Sequence, residues 1–132
     1  MTGGSMVWGK TARLAKVVTL LAVALVLTAA GCAGSSGGGS LPSGAVVIDV
    51  RTAAEYASGH LEGATNIDVE SSDFEARISQ LDRAGTYDVY CRSGNRSAVA
   101  VKAMRNLGFS QVTDAGGIQD AARSTGLAVV TG

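Results

Sequence analysis

The chain has 132 residues, room for one domain, with 11 basic and 11 acidic side chains and a formal net charge of zero. That balance excludes a uniformly basic nucleic-acid binder and an acidic disordered tail. Two cysteines, Cys32 and Cys91, and one histidine, His60, exclude a disulfide scaffold and a cysteine- or histidine-rich metal cluster, so no metal site is expected.

The averages hide unlike parts. Lys10, Arg13 and Lys16 are the only charges before Asp49, and they precede the apolar or small-residue stretch Val17 to Ala30. At 14 residues it suits the apolar region of a secretory signal and is short for a membrane span. It runs into Leu27-Thr28-Ala29-Ala30-Gly31-Cys32, which resembles a bacterial lipobox. Cleavage ahead of Cys32 would leave a lipid-carrying N-terminal cysteine on the extracytoplasmic face of the cell membrane. An ordinary signal peptide and an uncleaved anchor are the alternatives. Residues 1–31 are therefore read as a signal peptide and 32–45, rich in Gly and Ser, as a flexible tether that can bury nothing. The remaining domain, 46–132, begins after this tether. Removal of residues 1–31 takes three positive charges and leaves side chains summing to −3.

Ala45-Val46-Val47-Ile48-Asp49-Val50 is a β-branched apolar run, expected as a strand buried on both faces. Thr52 to Ser58 reads as a short helix stopped by Gly59. Ser72-Asp73-Phe74-Glu75 has the form of a capping box. Phe74, Ile78 and Leu81 then line one helical face to about Ala84, with Asp73 and Arg77 as an i,i+4 pair. Tyr87 to Tyr90 is a second strand leading into Cys91. Ser97 to Leu107 is a helix closed by Gly108. Gln111 to Asp114 is a third strand and Ile118 to Ser124 a last helix. Strands alternating with helices predict an α/β domain whose small sheet is mainly parallel, with helices on both faces.

The chemistry concentrates in Tyr90-Cys91-Arg92-Ser93-Gly94-Asn95-Arg96-Ser97. A cysteine at the carboxyl end of a strand, a glycine-containing loop and a helix start form a place where ligands bind in open α/β sheets. Backbone N–H groups that curl around the sulfur make an anion nest. The helix dipole and the charges of Arg92 and Arg96 favour thiolate over thiol, which makes Cys91 an activated nucleophile that attracts anions. A buried core cysteine is the bland alternative, but the residues after it are polar or glycine.

Two segments resemble the rhodanese-like sulfurtransferases. One is Ile48-Asp49-Val50-Arg51, continuing through Glu55-Tyr56, Gly59-His60-Leu61, Gly63-Ala64 and Asn66-Ile67. The other is the Cys91 segment, continuing to Leu107-Gly108-Phe109 and Asp114-Ala115-Gly116-Gly117-Ile118. The resemblance implies that Cys91 takes the outer sulfur of a donor such as thiosulfate and holds it as a persulfide. Arg92, Ser93, Gly94, Asn95 and Arg96 would cradle it, and a cyanide or thiol acceptor would remove it. It also implies no cofactor. Four residues separate Cys91 from Arg96. Related phosphatases have one more, so the ring is sized for an added sulfur rather than a phosphate. A sulfur carrier or anion-binding module that turns over poorly is the alternative function, with a low-activity phosphatase behind it.

Asp49 and Arg51 match the first motif, either as supports of the site floor or as a buried ion pair that orders the strand end. Glu55 is placed to pair with Arg51. His60 reads more readily as a turn residue with satisfied hydrogen bonds than as a general base. The family commonly has a strand and helix ahead of Asp-Val-Arg, and a Trp where this chain has Ala121. One sheet edge is therefore expected bare or differently covered, and the last helix thinly packed.

Overall fold

The computed structural model describes residues 38–132; the expected signal peptide and the lipid expected on Cys32 lie outside them. Four strands form the main sheet: β1 (Val46–Asp49), β3 (Thr65–Asn66), β4 (Thr86–Cys91) and β5 (Gln111–Gly117). Their order is β3-β1-β4-β5, and every pairing is parallel. Parallel strands need crossovers, and helices α1 (Ala53–Ser58), α2 (Phe74–Ile78) and α3 (Asn95–Asn106) lie in them, while α4 (Ile118–Thr125) follows the last parallel strand. A separate antiparallel pair joins β2 (His60–Leu61) to β6 (Val129–Val130).

Strand parity divides the core. Ile48, Val50, Val89 and Cys91 face α2 and α3, where they pack with Phe74, Ile78, Ala100, Val101 and Met104. Val47 and Tyr90 point the other way and pack with Leu61, Ala64 and Ala121, with Tyr56 and Ile118 at the margin. Helices thus cover both faces, as the alternating pattern predicts. Ala121 is fully buried beside Tyr90, so its neighbours close around the small side chain. β1 and β4 lie inside the sheet, and β5 pairs only with β4, so β5 is left as an edge strand of this sheet among the described residues. Gly39 N–H donates to Arg123 O at 3.0 Å and Leu41 packs on the second cluster, so part of the segment read as tether lies against the fold.

Several local expectations are corrected. The capping box sits at Thr52, whose hydroxyl accepts from Glu55 N–H while Glu55 accepts from Thr52 N–H. None forms at Ser72–Glu75: Asp73 is the N-cap of α2 without a side-chain cap, and its carboxylate is taken by the Ser71 hydroxyl. Helix α2 ends at Ile78 rather than near Ala84, and Arg77 donates to Asn66 O at 2.8 Å instead of pairing with Asp73. Helix α3 begins at Asn95, because the loop after Cys91 winds directly into it.

Candidate active site

Cys91 is the last residue of β4 and has no exposed surface. Gly94, three residues on, takes φ +99°, a conformation that favours glycine, and so turns its N–H back to Cys91 Sγ at 2.9 Å. The neighbouring strand makes room for this turn. β4 and β5 shift register between Val89 and Tyr90, which brings Gly116 and Gly117 alongside Tyr90 and Cys91. A Cβ on Gly117 would meet Arg92 O at 2.8 Å, so a glycine is what lets β5 run against the loop.

Burial pushes the Cys91 thiol up, but hydrogen bonds from the Ser97 N–H and hydroxyl, and from the Gly94 and Ser93 N–H groups, outweigh it and hold the thiol below its ordinary range. The sequence-based expectation credited loop amides, the helix dipole and the charges of Arg92 and Arg96 together; the amides and the Ser97 hydroxyl are the groups that lower the thiol here. Ser97 is fully buried. With the thiol protonated, Sγ–H donates to Ser97 Oγ at 3.7 Å and the Ser97 hydroxyl donates to Gly94 O at 2.9 Å. When the thiol ionises, the Ser97 hydroxyl can turn its proton to sulfur and join the backbone donors there.

Arg96 is not a free cation. Its guanidinium meets Glu55 as a fork, with NH1 to Oε2 and NH2 to Oε1 both at 2.8 Å. Glu55 was expected to pair with Arg51; it is the partner of Arg96. Hydrogen bonds from Arg96, helped by those from Thr52 and opposed by partial burial, bring the Glu55 carboxyl down to about 2. The same pair raises Arg96 above the usual guanidinium range. A third contact runs from Arg96 NH1 to Glu70 Oε2 at 3.4 Å. Arg92, Ser93 and Asn95 are exposed on the loop, and Arg92 has no ion-pair partner among the described residues.

Asp49 and Arg51 form the buried pair rather than a wall of the loop. Arg51 Nε donates to Asp49 Oδ1 at 2.9 Å, and its NH2 donates to Asp49 Oδ2 and Gly59 O, both at 2.6 Å. The Tyr90 hydroxyl donates to Asp49 Oδ2 at 2.7 Å and accepts from Leu61 N–H at 3.0 Å. His60 is also occupied: its ring stacks on Tyr56 at 3.7 Å, and Nδ1–H donates to Tyr56 O at 2.9 Å. Its hydrogen bond is satisfied, as the sequence favoured, but it opens strand β2, paired with Val130, rather than sitting in a turn.

Sequence reasoning placed Cys91 and its loop but missed Ser97 as a partner of sulfur and Glu55 and Glu70 as partners of Arg96. A serine in the first turn of the helix after the loop was the available signal for Ser97. Glu55 lies 41 residues from Arg96 in sequence, so nothing local marked it.

The result is a sulfur atom at a strand end, held ready to ionise by N–H donors, in a loop closed by a neutralised arginine. Such a cradle stabilises a sulfur anion whether the charge sits on Sγ or on an atom added to it. The chain is similar to known proteins. The Rhodanese-like domain model matches residues 39–122. The Escherichia coli thiosulfate sulfurtransferase PspE is 33% identical over 75 residues, covering 57% of this chain and 72% of that protein. The Pseudomonas entomophila thiosulfate sulfurtransferase GlpE is 42% identical over 82 residues, covering 62% and 73%. A rhodanese with anions from E. coli superposes with a TM-score of 0.56 at 28% identity, over 67% of this chain and 99% of that one. Motif, fold and cradle converge, and the chain belongs to the rhodanese-like domain family.

Proposed function

We propose that the protein is a sulfurtransferase that moves a sulfane sulfur through a persulfide on Cys91. The observation that carries this reading is the donor set around Sγ: Gly94 N–H at 2.9 Å, with Ser93 and Ser97 holding the thiol below its ordinary range. The Cys91 thiolate attacks the outer sulfur of a donor such as thiosulfate. The sulfur–sulfur bond of the donor breaks and sulfite leaves with its electron pair. The new outer sulfur carries the negative charge and lies within the loop, whose amides stabilise it. A thiolate or cyanide then attacks that sulfur, and Cys91 leaves as thiolate, stabilised as before. The acceptor becomes a persulfide or thiocyanate. Thiosulfate sulfurtransferase relatives support this donor class.

The complete burial of Cys91 favours a second reading, a sulfur carrier whose loaded cysteine is released only to a partner. Steady-state transfer from thiosulfate to cyanide separates the two: an enzyme turns over, and a carrier loads once and stops. We also propose, from residues 10–32 alone, that Cys32 carries lipid and anchors the domain at the extracytoplasmic face of the membrane.

Intact mass of protein extracted from membranes and incubated with thiosulfate tests all of this together. The expected result is a gain of one sulfur atom, absent in Cys91→Ser, on a chain that begins at an acylated Cys32. A wild-type chain that gains no sulfur overturns the persulfide reading. An N-terminus without lipid overturns the anchor.

A further inference from the structure

We infer that Glu70 determines the charge preference of the donor site, its carboxylate competing with an incoming anion for Arg96. This rests on the sulfurtransferase reading for its biological meaning, but not for its geometry.

Arg96 has two carboxylate partners that are held very differently. Glu55 engages both terminal nitrogens at 2.8 Å and is itself fixed in the capping box by Thr52 N–H and Oγ1, each at 3.1 Å. An anion cannot displace it without undoing the start of α1. Glu70 reaches only one nitrogen, at 3.4 Å, from a side chain 63% exposed. It lies in the segment between β3 and α2, where its own N–H is held by Asp68 Oδ1 at 2.9 Å. The side chain is therefore free to swing away while its backbone stays. Glu70 thus occupies the outward donor of the loop arginine when no anion is present and yields it when one arrives. Its charge also opposes every anion that approaches Cys91, whereas neutral reagents do not feel it. A glutamine has the same shape and no charge.

The experiment compares iodoacetate with iodoacetamide on the full chain, with modification of Cys91 followed by peptide mass. In both reactions the thiolate bonds to the methylene carbon and iodide leaves, so the reagents differ in charge alone. Glu70→Gln should raise the iodoacetate rate about 3- to 10-fold at low salt and leave the iodoacetamide rate unchanged. The gain should shrink at high salt, and Glu70→Asp, which keeps the charge but is one methylene shorter than a contact already at 3.4 Å, should fall between wild type and Glu70→Gln. The KM for thiosulfate should fall by a similar factor at constant kcat. Rates that change together for both reagents, or that do not change, overturn the assignment. A shifted alkylation ratio in a protein that transfers no sulfur supports Glu70 and rejects the sulfurtransferase reading.

Discussion

Two neighbouring parallel strands end at the same edge of the sheet and finish in opposite ways. At the end of β1, Asp49 and Arg51 satisfy each other, with Tyr90 and Gly59 O taking what remains. At the end of β4, three N–H groups converge on one sulfur that has little else to offer them. The first end is saturated by its own side chains and holds structure. The second turns its backbone donors onto a single nucleophilic sulfur. Charge alone does not make a site: the fully charged pair is the inert one, and the loop arginine is neutralised by Glu55. Backbone donors converging on a polarisable nucleophile make it.

The largest expected effect follows from breaking the saturated end. Asp49→Asn leaves Arg51 buried beside a neutral group and weakens the acceptor for Tyr90. The loss should be about 3–5 kcal/mol, the usual cost of stranding one partner of a buried pair. A small domain holds only about 5–15 kcal/mol in total. Denaturant unfolding should show an earlier midpoint, and the folded fraction should keep the wild-type KM. A stable variant with an altered KM would mean that Asp49 belongs to the site after all.

An intermediate effect is expected at the open end. Ser97→Ala removes one donor from the Cys91 sulfur while the backbone donors remain. A hydrogen bond to a charged group contributes about 1.5–3 kcal/mol, so iodoacetamide alkylation near neutral pH should slow about 10-fold or more. The sign follows from the direction of the shift. The native thiol ionises below an unfolded one, so thiolate formation adds stability above the unfolded value, and this is lost as pH falls through the native value. In Ser97→Ala the midpoint of alkylation against pH should move upward, toward that of an ordinary cysteine. An unmoved midpoint would assign the depressed thiol to the backbone alone.

The two ends also differ in how far sequence reveals them. The buried strands were legible because β-branched runs such as Val46-Val47-Ile48 have few other places to go. The Cys91 loop was legible because polar residues and a glycine follow a strand-end cysteine directly and lead into a helix, the place where ligands bind in open α/β sheets. What was hidden depended on distance. β2, β3 and β6 are two residues each, too short to carry a period. Glu55 chose Arg96 over the nearby Arg51 because Arg51 was already consumed by Asp49, a choice fixed only when β1, β4 and α1 meet. The Ser72–Glu75 pattern matched a capping box and formed none, since Ser71 took Asp73 first.

His60 supplies the smallest effect and the finest test of the contrast. It lies near both ends in sequence motif, yet its geometry belongs wholly to the saturated kind. Nδ1–H is committed to Tyr56 O at 2.9 Å, and one ring face is committed to Tyr56 at 3.7 Å. Acting as a base through Nδ1 would require giving up that hydrogen bond, and a thiol already lowered by Ser97, Gly94 and Ser93 has no need of a base. His60→Asn keeps an amide N–H near the position of Nδ1 and loses the stacked ring. The expected outcome is a stability loss of about 1 kcal/mol, in the range of a single aromatic contact. The kcat for sulfur transfer should stay within about twofold and the pH profile should be unchanged, because the groups that ionise Cys91 are untouched. A profile whose acid limb disappears in His60→Asn would move this histidine from the closed end of the sheet into the chemistry.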